Sequence, residues 1–175
     1  MRRIMMLLMM TVLISVSSAW AADLPEFGQT EREILRLYNE SAKEFNLPPV
    51  DPAVYYQKYD KERNLYRSYR LNPFMDILFL YNHDEGKPVR VRVWADDGPD
   101  AQTQKTYART FMSLVQAFTP DMNENEREAL ITKLGILQPD YSTLERNQVR
   151  TGDIYFVFGA TAGKILIGVS PVPRR

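Results

Sequence analysis

Two apolar runs separated by a short polar segment constrain the fold of this chain more than any other feature. Residues 74–81 read FMDILFLY and residues 89–94 read VRVRVW. Alternation of apolar and polar side chains is typical of β-strands, and the segment between the runs is rich in turn formers. We therefore predict an antiparallel hairpin with Asp84-Glu85-Gly86 as a three-residue loop.

That loop sets the register of the hairpin. It pairs Tyr81 with Val89, Phe79 with Val91 and Ile77 with Val93. One face is then wholly apolar, and the other carries a mixed set of side chains: Asp76, Leu78, Leu80, Arg90, Arg92 and Trp94. A slip of one residue would exchange the faces, so the register is testable.

The remaining periodic segments predict the rest of the architecture. Helical spacing with polar caps predicts helices over 31–45, from about 99 to 118, and from Asn123 to a stop at Gly135. A short helical turn is expected near 52–60, a strand near 64–71, and a second hairpin from 154–158 and 164–169. Residues 138–152 form either a functional loop or an edge strand around 146–150. The predicted fold is α+β, with helices on one face of an antiparallel sheet of about five strands, two hairpins plus one strand.

The first residues are typical of a Sec-type signal peptide. Arg2 and Arg3 precede an apolar core at 4–16, and Ala19-Trp20-Ala21 provides small residues at a cleavage site. The core is shorter than the about 20 residues that a spanning helix needs. We expect cleavage after Ala21, a single α+β domain over 22–175, and a periplasmic or secreted protein without a transmembrane span. The alternative is an uncleaved anchor whose apolar segment continues to Ala22.

Composition excludes several chemistries. The chain has 22 basic and 22 acidic residues, one histidine and no cysteine. Balanced charge argues against a nucleic-acid partner, and the missing cysteines exclude thiolate catalysis and disulfides. A single histidine, His83, excludes a two-histidine metal site within one chain. We expect no metal, no cofactor and no catalytic residue.

Arginines and aromatic residues mark the candidate binding site. Arg90, Arg92 and Trp94 lie on the mixed face of the predicted hairpin. The segment 55–70 is rich in tyrosine and arginine, a combination that is enriched in recognition surfaces, and from it we select Tyr66, Arg67, Tyr69 and Arg70. In the alternative interpretations the tyrosines are core residues and the arginines belong to an ordinary solvated face.

These observations support two hypotheses of different classes. The first is an exported, non-catalytic binding, adaptor or inhibitor-type module that recognises a protein or an anionic envelope ligand through an Arg/Tyr/Trp sheet face. The second is a cofactor-free hydrolase or lyase of cell-envelope polymers that uses buried carboxylates.

Overall fold

The computed structural model describes residues 25–59, 61, 64–82, 86–96, 101–138, 141, 146–161 and 163–173. Several predictions fall on other residues. The signal peptide over 1–21, its cleavage site, the hairpin tip at 83–85 and the helix start at 97–99 all lie outside the described residues.

Seven strands within the described residues form one sheet. They are β1 Tyr56–Tyr59, β2 Leu65–Asn72, β3 Met75–Leu80, β4 Arg90–Asp96, β5 Asn147–Thr151, β6 Ile154–Thr161 and β7 Lys164–Pro171. The spatial order is β1-β2-β3-β4-β7-β6-β5, and every neighbouring pair is antiparallel. The α+β class is confirmed, but the sheet is larger than the predicted one of about five strands.

Two segments account for the difference. Tyr56–Tyr59 forms the edge strand β1 and not part of a helical turn, and Asn147–Thr151 forms the opposite edge strand β5. The tyrosines of β1 fit a helix or a strand equally well, so pairing with β2 decides their conformation. The strand alternative for 138–152 is therefore correct for its last third.

Three helices within the described residues accompany the sheet: α1 Glu31–Glu44, α2 Ala101–Phe118 and α3 Glu124–Leu134. Capping boxes begin α1 at Thr30 and α3 at Asn123, because each cap side chain accepts from a backbone N–H that its own helix leaves unpaired. Gly135 ends α3 in the left-handed conformation, with φ of 81°. Both caps were predicted from local sequence.

The register of the first hairpin is as predicted. Ile77 pairs with Val93 and Phe79 with Val91. Strand alternation divides the sheet into two faces, and the side chains of one face are almost entirely buried. We call this the covered face; it includes Tyr69, Met75, Ile77, Phe79, Val91, Val93, Phe156, Phe158, Ile165, Ile167 and Val169.

The helices bury the covered face. The ring centroids of Phe111 in α2 and Phe158 lie 5.0 Å apart. The Tyr141 ring packs edge-on against Phe158, with 5.4 Å between the ring centroids. At the other end of the sheet, Glu31 of α1 accepts a hydrogen bond from the Tyr69 hydroxyl. Burying each large apolar side chain contributes about 1.5–3 kcal/mol, so this layer is the main source of stability.

Within the described residues, none of the helices combines the length and the apolar character needed to cross a bilayer.

Candidate binding site

The opposite side of the sheet, which we call the open face, has a different composition. Its side chains are mostly half-buried and mix aliphatic, aromatic and cationic groups. Its central members are Tyr66, Leu78, Leu80, Arg90, Arg92, Trp94, Tyr155, Val157, Leu166 and Ser170. The order along β4 follows directly from the sequence, because residues two apart share a face of a strand.

A depression of about 250 Å³ lies on the open face, where β4, β7, β6 and the start of β5 meet. Arg90 and Arg92 of β4 and Arg146, which immediately precedes β5, all line it. Tyr155 and Leu166 contribute to the walls. We call this site the arginine depression.

Two glycines shape the arginine depression. Gly168 of β7 pairs with Arg92, and a Cβ atom added there would lie 3.9 Å from Arg92 Cγ. The missing side chain leaves a hollow beneath the arginine. Gly159 of β6 has a different role, since a Cβ there would come within 2.9 Å of the Arg146 Cα. Glycine at 159 therefore permits the close backbone approach that brings Arg146 to the site.

Within the described residues, no carboxylate forms an ion pair with the arginines of the arginine depression. Burial lowers the pKa of the Arg92 guanidinium most strongly, and the positive charges of Arg90 and Arg146 lower it further. Tyr66 raises the same pKa. Among the strands that the structure describes, the open face carries the carboxylates Asp76 and Asp96.

Both carboxylates are engaged elsewhere. The Arg70 Nε atom lies 2.7 Å from Asp76 Oδ1, and Lys164 forms an ion pair with Asp96. The described part of the chain thus concentrates three guanidinium groups in the arginine depression without a compensating acid.

The other predicted open-face residues flank this cluster. Trp94 is half-buried, opposite Asp76 on β3 and Leu166 on β7. Tyr66 lies two strands away from Arg90, opposite Leu80, with the Lys58 ammonium 5.8 Å from its ring centroid. Arg70 is on the same face but belongs to the pair with Asp76.

Arg67 and Tyr69 lie on the covered face and do not join the arginine depression. The Arg67 guanidinium carbon is 5.5 Å from the Tyr55 ring centroid and 5.4 Å from that of Tyr81, and a guanidinium nitrogen is 3.5 Å from Glu31. The Tyr69 hydroxyl donates to the same carboxylate, and burial raises the pKa of Tyr69. The structure therefore divides the seven predicted residues between two faces.

Arg146 is the site residue that sequence reasoning did not select. The segment around it was recognised as a possible edge strand, but nothing local showed that it would lie beside Arg92. The connection runs through β6 and β7, since β5 pairs with β6 and β6 with β7. The signal that could have found it is the glycine at position 159, a type of residue that often marks close backbone approach in a strand.

The hydrolase hypothesis depends on buried carboxylates. Among the described residues, the buried carboxylate is Glu31, which Tyr69 and Arg67 already engage. That part of the chain also contains no group of three or more metal-binding side chains. His83 lies outside the described residues. The catalytic alternative stays a prediction.

A larger cavity of about 640 Å³ lies between α3 and the turn that joins β5 to β6. Its charged lining has both signs, with Lys133 and Arg150 beside Asp121, Glu126 and Asp153. Because these charges can compensate one another, this cavity favours no class of ligand. The arginine depression is the stronger candidate.

No protein-family model, curated protein or solved structure matches this chain.

Proposed function

We propose that this chain is an exported, non-catalytic binding module that recognises an acidic partner or ligand through the open face of its sheet. The observation that carries the proposal is the convergence of Arg90, Arg92 and Arg146 without a compensating carboxylate among the described residues. Like charges held together, two of them half-buried, are unfavourable until an anion neutralises them. An acidic ligand therefore gains more electrostatic binding free energy at this face than at a face with equal numbers of positive and negative charges.

The surroundings of the cluster support a recognition surface. Arginine, tyrosine and tryptophan are the residues most enriched at binding hot spots. Trp94 and Tyr155 flank the guanidinium groups and remain partly accessible. A rigid, paired sheet also holds these side chains in place before binding, which reduces the entropy lost on association.

Site-specific photocrosslinking in exporting cells tests the binding role. A photoreactive residue at position 94 should give an adduct with a partner, and one at exposed position 43 of α1 should not. Arg92→Glu should remove the adduct at position 94. The matched control is Arg32→Glu, which makes the same charge change at an exposed site of α1. An adduct that survives Arg92→Glu would contradict the site assignment.

The export part of the proposal has its own test. Mass spectrometry of the protein recovered from a periplasmic extract should show a chain that begins at Ala22. Export was inferred from Arg2, Arg3, the apolar core over 4–16 and the small residues before Ala22. A chain that retains residues 1–21, or one confined to the cytoplasmic fraction, would refute it.

A further inference from the structure

The arginine depression has a size and a charge that restrict its ligand. This inference rests on the proposed function and concerns the chemical group that the site would take. Pockets for drug-sized ligands have volumes of about 300–1,000 Å³, whereas this one has about 250 Å³. The depression therefore accommodates a head group, and the rest of the ligand must lie on the surrounding sheet.

The number of guanidinium groups indicates the kind of anion. A carboxylate has two oxygens and one charge, so a single bidentate arginine satisfies most of it. Three arginines among the described residues line this site, two from β4 and one immediately before β5. A phosphate monoester offers three acceptor oxygens and about −1.5 to −2 charge at neutral pH. It can therefore offer one oxygen to each arginine and neutralise more of their charge than a carboxylate does.

Neutral groups at the site fit the same anion. Tyr155, Ser170 and Gln148 also line the depression, and each carries a hydrogen-bond donor. Gly168 leaves the floor unobstructed below Arg92. An anion with several oxygens can therefore meet cationic and neutral donors at once.

The neighbouring strand indicates what the phosphate is attached to. Leu80 is directly opposite Arg90, and Leu78 is directly opposite Arg92. Both leucines are half-buried on the open face, with Tyr66 one strand further. The other flank leads toward the polar strand β5, where Gln148 and Arg150 are exposed. An apolar ligand body is better accommodated on the leucine side.

We propose that the arginine depression binds the phosphate of a phosphomonoester whose apolar part lies along Leu78, Leu80 and Tyr66. A soluble aryl or alkyl phosphate and the head group of a phosphatidic acid share this chemistry. The two sources differ in whether the ligand is free or held in a membrane surface. The experiment below separates them.

Isothermal titration of the protein with three small probes tests the chemistry. Phenyl phosphate should bind at least about tenfold more tightly than benzoate, because benzoate has the same ring with a smaller charge and fewer oxygens. It should also bind several-fold more tightly than inorganic phosphate, because only phenyl phosphate buries a ring. Equal affinity for benzoate would overturn the phosphate assignment, and equal affinity for inorganic phosphate would overturn the apolar part.

Variants connect the affinity to named residues. Arg92→Met should lower the affinity for phenyl phosphate at least about tenfold. The matched control is Arg32→Met, which removes an arginine from an exposed site of α1, and it should change the affinity less than about twofold. Equal effects of the two variants would indicate general charge attraction and would overturn the site.

A variant without charge change tests the floor of the depression. Gly168→Ala places a methyl group at ordinary contact distance from Arg92, so the sheet should remain intact. This variant should have a several-fold lower affinity for phenyl phosphate, while its circular dichroism spectrum stays native. Unchanged affinity in a folded Gly168→Ala protein would show that the ligand does not enter the depression.

Vesicles identify the source. Cosedimentation with phosphatidic acid vesicles, but not with phosphatidylcholine vesicles, would identify a membrane-held ligand; binding of phenyl phosphate alone would identify a soluble one. Binding to neither would overturn this inference. If the photocrosslink at position 94 still depended on Arg92, the proposed function would stand with a non-phosphate acidic partner.

Discussion

Arg67 and Arg92 are on opposite faces of one sheet and differ in what surrounds their charge. Arg67 lies between two tyrosine rings and beside Glu31, with its side chain 20% exposed and that of Glu31 11% exposed. Arg92 is half-buried beside two further arginines, and the open-face carboxylates of the described strands, Asp76 and Asp96, form ion pairs with other residues. The same residue type is therefore part of the internal structure in one place and, in the proposed function, binds a ligand in the other.

The two arginines show why composition alone identifies a binding site poorly. Tyrosine and arginine are frequent around Arg67, yet there they satisfy one another. Around Arg92 the described residues carry more cations than anions, and in the proposed function this surplus favours an acidic partner. Under the proposed function, charge compensation and not residue frequency separates the structural Arg67 from the binding Arg92.

The largest expected contrast concerns aromatic residues. Phe111→Ala should lower the free energy of unfolding by about 3–5 kcal/mol, because its ring is fully buried against Phe158. Trp94→Ala should cost no more than about 1.5 kcal/mol, since Trp94 lies on the open face and stays partly accessible. Urea unfolding followed by circular dichroism measures both. Comparable losses would mean that the open face is as important to folding as the covered face.

A matched pair of arginine substitutions makes the central comparison directly. Arg67→Met should lower the free energy of unfolding by about 2–4 kcal/mol, because it removes the Glu31 pair and two ring contacts. Arg92→Met keeps the aliphatic stem but removes one like charge, so it should leave stability unchanged or raise it by up to about 1 kcal/mol. The same unfolding titration tests this expectation. A clear loss of stability in Arg92→Met would mean that its charge is compensated.

The most gradual expected effect is a dependence on alkaline pH that belongs to the covered face. Burial raises the pKa of Tyr141 from 10.0 to about 12. Between these values the unfolded chain has lost the phenol proton and the folded chain still holds it. The contribution of Tyr141 to the free energy of unfolding is therefore fully present below about pH 10 and falls as the pH rises toward 12. This residue lowers the free energy of unfolding by at most about 1.4 kcal/mol per pH unit.

Unfolding titrations at several alkaline pH values measure that slope. Tyr141→Phe should reduce it, whatever the variant does to stability at neutral pH. The neutral-pH baseline will change separately, because the Tyr141 hydroxyl also donates to the Ile136 carbonyl. An unchanged slope in Tyr141→Phe would show that this phenol does not control the alkaline loss.

Much of the site was predictable within single strands. The alternation in VRVRVW placed Arg90, Arg92 and Trp94 on one face, and the hairpin register followed from the loop. The same rule could have divided 65–71 correctly, because Tyr66 and Arg70 must lie opposite Arg67 and Tyr69 once the segment is a strand. Selecting all four for one site followed composition where alternation was the better guide.

The sequence by itself determined the local elements: the capping boxes at Thr30 and Asn123, the stop at Gly135, and the face on which Arg92 lies. These depend on residues a few positions apart, whose interactions are the same in any fold. Only the tertiary structure decided that β7 pairs with β4, that β1 and β5 complete the sheet, and that Arg146 joins Arg90 and Arg92. Such pairings bring together segments far apart along the chain, and burial of the whole covered face selects them.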